Sequence, residues 1–111
     1  MNQVPFEQLT YVRFAALVKT PFRVRMGAGQ QVELELAEAR EFPSRGVQNP
    51  DGTAMKNECF SLLFKGPVSS FLPQGTYDFE QDNLGAFSLF VVPIGQTAEA
   101  FQYEVIFNRL S

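Results

Sequence analysis

Two stretches in the first third of the chain alternate strictly between apolar and charged residues. Phe22, Val24 and Met26 are interleaved with Arg23 and Arg25, and Val32, Leu34 and Leu36 with Glu33 and Glu35. A period of two marks a strand with one buried face. Gly27-Ala28-Gly29-Gln30 between the two stretches reads as a hairpin loop. Charge favours a register that sets Arg25 opposite Glu33 and Arg23 opposite Glu35. A register shifted by two keeps the same faces but leaves only Arg23 opposite Glu33. A cross-strand charge pair contributes only about 0.2–1 kcal/mol, so the preference between the two is modest.

Upstream, residues 1–9 form an arm without periodicity. Thr10 is a candidate N-cap for a short helix over residues 11–18, in which Tyr11, Phe14, Leu17 and Val18 make one apolar stripe. Lys19-Thr20-Pro21 ends it. Residues 42–57 break the alternation with turn chemistry, Phe42-Pro43-Ser44-Arg45-Gly46 and Asn49-Pro50-Asp51-Gly52. A loop of this length in a small domain is usually functional or disordered.

Four further strands follow. Phe60, Leu62 and Phe64 carry one, ended by Gly66-Pro67. Tyr77 and Phe79 carry the next, opened by Gly75 at a turn position suited to positive φ. The fifth strand runs from Ala86 to Pro93, where the proline limits its ladder. The sixth carries Phe101, Tyr103, Val105 and Phe107. The prediction is a mainly β chain: a six-stranded antiparallel meander closing into a small barrel or sandwich, with one short N-terminal helix. The 111 residues make one domain.

One surface does not fit a one-sided sheet. In the fifth strand Phe87, Leu89 and Val91 point one way, and Phe90 and Val92 the other. Ile106 and Leu63 also sit on the side expected to face water. Leu63, Phe90, Val92 and Ile106 are therefore candidate interface residues, because an apolar patch of this kind needs a cover. Three explanations are open: the helix covers them through Phe14, Leu17 and Val18, another subunit does, or the faces are wrongly assigned.

Composition narrows the function. Twelve Phe and no Trp supply large rings for a core, so the fold needs no staple. The single cysteine, Cys59, permits no intramolecular disulfide. The net charge of −3 argues against nucleic acid, which needs a basic face. The N-terminus has neither the basic start nor the apolar run of a secretory signal, and no stretch approaches the length of a membrane span. The default location is the cytoplasm, with export by another route left open.

Catalytic chemistry finds little support. The absence of histidine removes the commonest general base and zinc ligand, and with it any Ser-His-Asp or Cys-His unit. Asp78, Glu80 and Asp82 share a strand face at spacings of about 6.5–7 Å, which overlaps the carboxylate separations of glycosidases. A solvated strand face explains them more simply, and they do not match a calcium loop. Gly27-Ala28-Gly29 lies between strands and lacks the helix and third glycine of a nucleotide loop. Lys19, Lys56 and Lys65 sit in no recognisable motif, and Cys59 reads as structural. The sequence thus assigns no catalytic, cofactor or metal residues. A Phe-rich barrel holding a small apolar ligand is the alternative to a barrel that its rings simply fill.

The C-terminal half carries Gly66-Pro67, Leu72-Pro73-Gln74-Gly75-Thr76-Tyr77, then Leu84-Gly85-x-Phe87-x-Leu89-Phe90-x-x-Pro93-x-Gly95, then Tyr103-x-x-x-Phe107-Asn108-Arg109. With Phe14-x-x-Leu17-Val18-x-x-x-Phe22-Arg23, this resembles an uncharacterised family of short bacterial proteins. The pattern departs from the family at Lys19-Thr20, where a glycine is expected after the helix. The resemblance implies genes neighbouring phage tail-collar-like proteins of the microcystin-dependent type, and it assigns no catalytic residues. The resulting expectation is a non-enzymatic structural or assembly protein, acting through self-association or a protein partner. It would end up in a virion-like or extracellular fibre, or remain in the cytoplasm.

Overall fold

The structure, a computed structural model, describes residues 8–42 and 57–110. The arm expected over 1–9 and the loop expected over 42–57 lie outside the described residues except at their edges.

The elements are α1 (Tyr11–Ala15), β1 (Pro21–Arg25), β2 (Gln31–Phe42), β3 (Asn57–Pro67), β4 (Gly75–Gln81), β5 (Gly85–Gln96) and β6 (Ala100–Leu110). All six strands pair antiparallel with their neighbours and close into a barrel in the order β1-β2-β3-β6-β5-β4. The expected antiparallel barrel with one short helix is what forms. Its path is not one continuous meander but two, β1-β2-β3 and β4-β5-β6, joined where β3 meets β6 and β1 meets β4. Pairing β4 with β1 instead of β3 leaves residues 68–74 to cross the mouth of the barrel. That crossing carries Leu72 into full burial. The Leu72 N–H donates to the hydroxyl of the wholly buried Tyr103 at 3.0 Å.

The helix closes the other end. Thr10 caps it through its hydroxyl, which accepts from the Arg13 N–H. Regular helix stops at Ala15, three residues short of the predicted end, and a tighter turn carries Leu17 into the core. Lys19 then adopts φ 73°, and the backbone of Lys19 and Thr20 bonds to Leu36 on β2. The left-handed turn falls at the site where a glycine was expected, so Lys19 carries the strain a glycine avoids. Phe14 enters the barrel completely. Its ring lies 5.5–6.2 Å from those of Phe22, Phe60, Phe87 and Phe107, which come from β1, β3, β5 and β6.

The rings fill the interior. Phe60 and Phe107 stack at 4.5 Å, Phe22 meets Phe64 edge-on at 5.2 Å, and Phe79 stacks on Phe87 at 5.8 Å. Such geometries contribute beyond area alone.

The β1–β2 register corrects the charge argument. Arg23 faces Glu33 and Arg25 faces Gln31, the shifted alternative. The reason is barrel closure, which places β4 on the other side of β1. Arg23 bonds Glu80 at 3.0 Å and Asp82 at 2.9 Å, and Arg25 lies 3.6 Å from Glu80. The arginines take their carboxylates from β4, so Glu33 and Glu35 do not decide the register.

Gly75 does not hold the positive φ expected of it; Gly85, after the β4–β5 turn, does, at 98°. The carboxamide oxygen of the buried Gln81 organises that turn by accepting from the N–H groups of Asn83 and Leu84. Gly66 and Pro67 end β3 as expected, and as its last residues they still pair with Phe101 and Ala100. Pro93, by contrast, does not limit β5. The ladder passes Pro93, bulges around Ile94 and continues to Gln96.

Candidate functional site

The carboxylates of β4 all have partners. Asp78 accepts from the Ser88 hydroxyl at 2.8 Å. Glu80 and Asp82 hold Arg23, and their hydrogen bonds, Asp82's foremost, raise the pKa of its guanidinium. This is an ion-pair network across the β1–β4 seam, with each carboxylate already engaged. Such partly exposed pairs contribute little individually and favour one pairing of strands over another.

Cys59 is half-buried on β3, opposite Phe42 and Asn108 in the two ladders. Lys19 is the left-handed residue after the helix, Lys65 is exposed on β3, and Lys56 lies outside the described residues. Among the described residues no group of three or more His, Cys, Asp or Glu is placed to hold a metal ion. Nor is any helix among them long and apolar enough to cross a membrane.

The outer face of β3, β6 and β5 is different. Ladder partners place Leu63 opposite Glu104, and Glu104 opposite Val92, in one row across the three strands. One row along, Ser61 faces Ile106. Phe90 lies two residues before Val92 and so shares its face. Phe90 is 51% exposed, Ile106 61% and Ile94 50%. Leu63 and Val92 are half-buried beside them. The helix does not cover these residues, because Phe14 and Leu17 are spent inside the barrel. Of the three explanations open at the sequence level, cover by the helix is thereby excluded.

Ile94 was not among the interface residues read from the sequence. It keeps step with Phe90 and Val92 and so shares their face, but the strand was expected to end at Pro93, and the ladder instead continues past it through a bulge. A hollow of about 150 Å³ opens on the same face, floored by Ser61, Leu62 and Leu63 and rimmed by Ile94, Glu104 and Glu38. A smaller apolar group, Phe71 against Phe101 with the exposed Val68 nearby in sequence, lies at the mouth crossed by residues 68–74.

Fold and surface together define a small closed antiparallel β-barrel, plugged at both ends, with an apolar flank that no other element among the described residues covers. The chain belongs to the family described as a domain of unknown function, DUF6916, which matches residues 9–107. The match takes in the helix, all six strands as far as Phe107, and every residue of the flank. Comparison with curated proteins and with solved structures found no match.

Proposed function

We propose that this protein is a non-enzymatic structural or assembly protein that docks another protein subunit through the outer face of β3, β6 and β5. One observation carries the reading: Phe90, Ile94 and Ile106 are each at least half exposed on adjoining strands, while the helix, one of the covers considered for them, plugs the barrel instead. Large apolar side chains that share one face mark association surfaces in water-soluble proteins. The resemblance to short bacterial proteins encoded beside phage tail-collar-like proteins supports a subunit or adaptor of a fibre-like assembly. That role would place the protein in a virion-like or extracellular particle. The alternative, a barrel binding a small apolar ligand, has less support. Seven Phe side chains already occupy the interior, at 0–3% exposure.

The test is co-expression with the product of the neighbouring gene, followed by size separation. The expected result is co-migration of the two chains, lost on Phe90→Asp and unaffected by Glu33→Gln, a change on a different strand. Migration of the chain independent of its neighbour's product, with Phe90→Asp indistinguishable from wild type in every association assay, would overturn the reading.

A further inference from the structure

The two seams that join the meanders are very unequal. Along β3 and β6 the ladder runs the whole length, from Asn57 opposite Leu110 to Pro67 opposite Ala100. Along β1 and β4 it consists of Arg23 opposite Glu80, Val24 opposite Phe79 and Arg25 opposite Asp78. The β5–β6 ladder is also short, but a tight turn ties its strands, with the Thr97 N–H donating to the Ala100 carbonyl at 2.8 Å. A turn ties β1 to β2 in the same way, between Met26 and Gln30 at 2.7 Å. Nothing of this kind ties β1 to β4, for Arg23 and Glu80 lie 57 residues apart in the chain.

Charge spans this short seam on its outer side. The Arg23 guanidinium donates to Glu80 at 3.0 Å and to Asp82 at 2.9 Å, and Arg25 lies 3.6 Å from Glu80. Beneath the seam Val24 and Phe79 are buried, and the Phe79 ring lies 5.5 Å from Phe64 and 5.8 Å from Phe87.

We infer that the β1–β4 seam is where the folded barrel opens, ahead of the rest of the molecule, and that the Arg23–Glu80–Asp82 network is its latch. This goes beyond the docking reading and does not depend on it. Parts of a fold open at different free energies, and the shortest ladder between strands that no turn holds together opens most readily. Opening there spares both hairpins, because β1 keeps its ladder with β2 and β4 keeps its ladder with β5. It also changes what the molecule can bind. A closed barrel has no strand edge to offer. Opened at this seam, the barrel becomes a sheet with two edges, Pro21–Arg25 and Gly75–Gln81, and an extended strand of another protein can pair with either.

The latch makes opening respond to salt. The ion-pair distances are short against a screening length of ~10 Å at 0.1 M salt and comparable with ~3 Å at 1 M. Asp82 is 81% exposed, so dissolved ions reach the pair directly.

The experiment is labelling of the folded full chain with the uncharged reagent N-ethylmaleimide, in a Cys59→Ser background. Val24→Cys places a thiol under the β1–β4 seam, and Val105→Cys places one under the β3–β6 seam. Both valines are buried, so each thiol reacts only through an opening. Val24→Cys should label at least about 10-fold faster than Val105→Cys. Raising the salt from about 0.1 to 1 M, or adding Arg23→Gln, should speed Val24→Cys a further ~5-fold and leave Val105→Cys unchanged. Glu33→Gln, which faces Arg23 from β2, should change neither. Hydrogen exchange of the unsubstituted chain checks the order without a mutation. The amides that β1 and β4 turn toward each other should exchange before those shared by β3 and β6.

Equal labelling of the two thiols, or equal exchange along the two seams, overturns the opening. Faster labelling of Val24→Cys that ignores both salt and Arg23→Gln overturns the latch.

Discussion

Phe87 and Phe90 stand three residues apart on β5 and meet opposite environments. Phe87 is 1% exposed, with Phe14, Phe22 and Phe79 at 6.0, 6.2 and 5.8 Å. Phe90 is half exposed, and its ladder partner is Thr76. The same residue type on the same strand is core on one face and surface on the other. What separates them is the element that lies across from each face. Inside the barrel the helix delivers Phe14 to the Phe87 side, whereas no element of the described chain reaches the Phe90 side. An apolar side chain therefore reports burial only when something is placed against it.

The contrast is tested first at its strongest point. Phe14→Ala leaves a void among four rings and should destabilise the fold by about 3–5 kcal/mol, read by urea or guanidinium unfolding. A loss below about 1 kcal/mol would mean that the helix does not plug the barrel. At the opposite mouth, Tyr103→Phe leaves the buried Leu72 N–H without its acceptor and should cost about 1–3 kcal/mol.

Tyr103 also makes a pH prediction. Burial raises its pKa above the usual tyrosine value, partly offset by the Leu72 N–H. Above about pH 10 the unfolded chain loses the phenolic proton while the folded chain keeps it. The unfolded state then binds fewer protons, so stability falls as pH rises. The contribution is fully present below that range, and the alkaline loss should be smaller in Tyr103→Phe than in wild type. Equal slopes in the two proteins would show that the hydroxyl is not buried.

Lys19→Gly should act in the other direction, adding up to about 1 kcal/mol by relieving the left-handed backbone where the helix turns into β1. A destabilised variant would place that turn elsewhere. The smallest effect belongs to the outer face. Phe90→Asp should change the stability of the isolated monomer by no more than about 0.5 kcal/mol. A large loss there would erase the distinction between the two faces of β5.

Much of this was legible in the residues. The alternations at 22–26 and 32–36, and the double-sided β5, located strands and faces correctly, because side-chain direction within a strand is a local property. The outer-face set was legible for the same reason, with Phe90 and Ile106 exposed and Leu63 and Val92 half-buried beside them. Ile94, in step with Phe90 and Val92, was missed because the strand was expected to end at Pro93, whereas the ladder bulges there and continues to Gln96. The register of β1 on β2 was misjudged from Arg23, Arg25, Glu33 and Glu35 alone. The decisive carboxylates, Glu80 and Asp82, lie 57 and 59 residues away from Arg23.

By itself, then, the sequence determined six strands, a short capped helix, a Phe-built core and the apolar residues on each face. Each of these depends on neighbours within a few positions. Only the tertiary structure decided that β3 lies beside β6 and β4 beside β1, that Phe14 fills the barrel instead of shielding β5, and that a left-handed Lys19 makes that turn possible. These depend on closing a sheet whose two seams join segments far apart in the chain. The physical reason is that closure must satisfy every strand edge at once, and local alternation carries no information about which edge meets which.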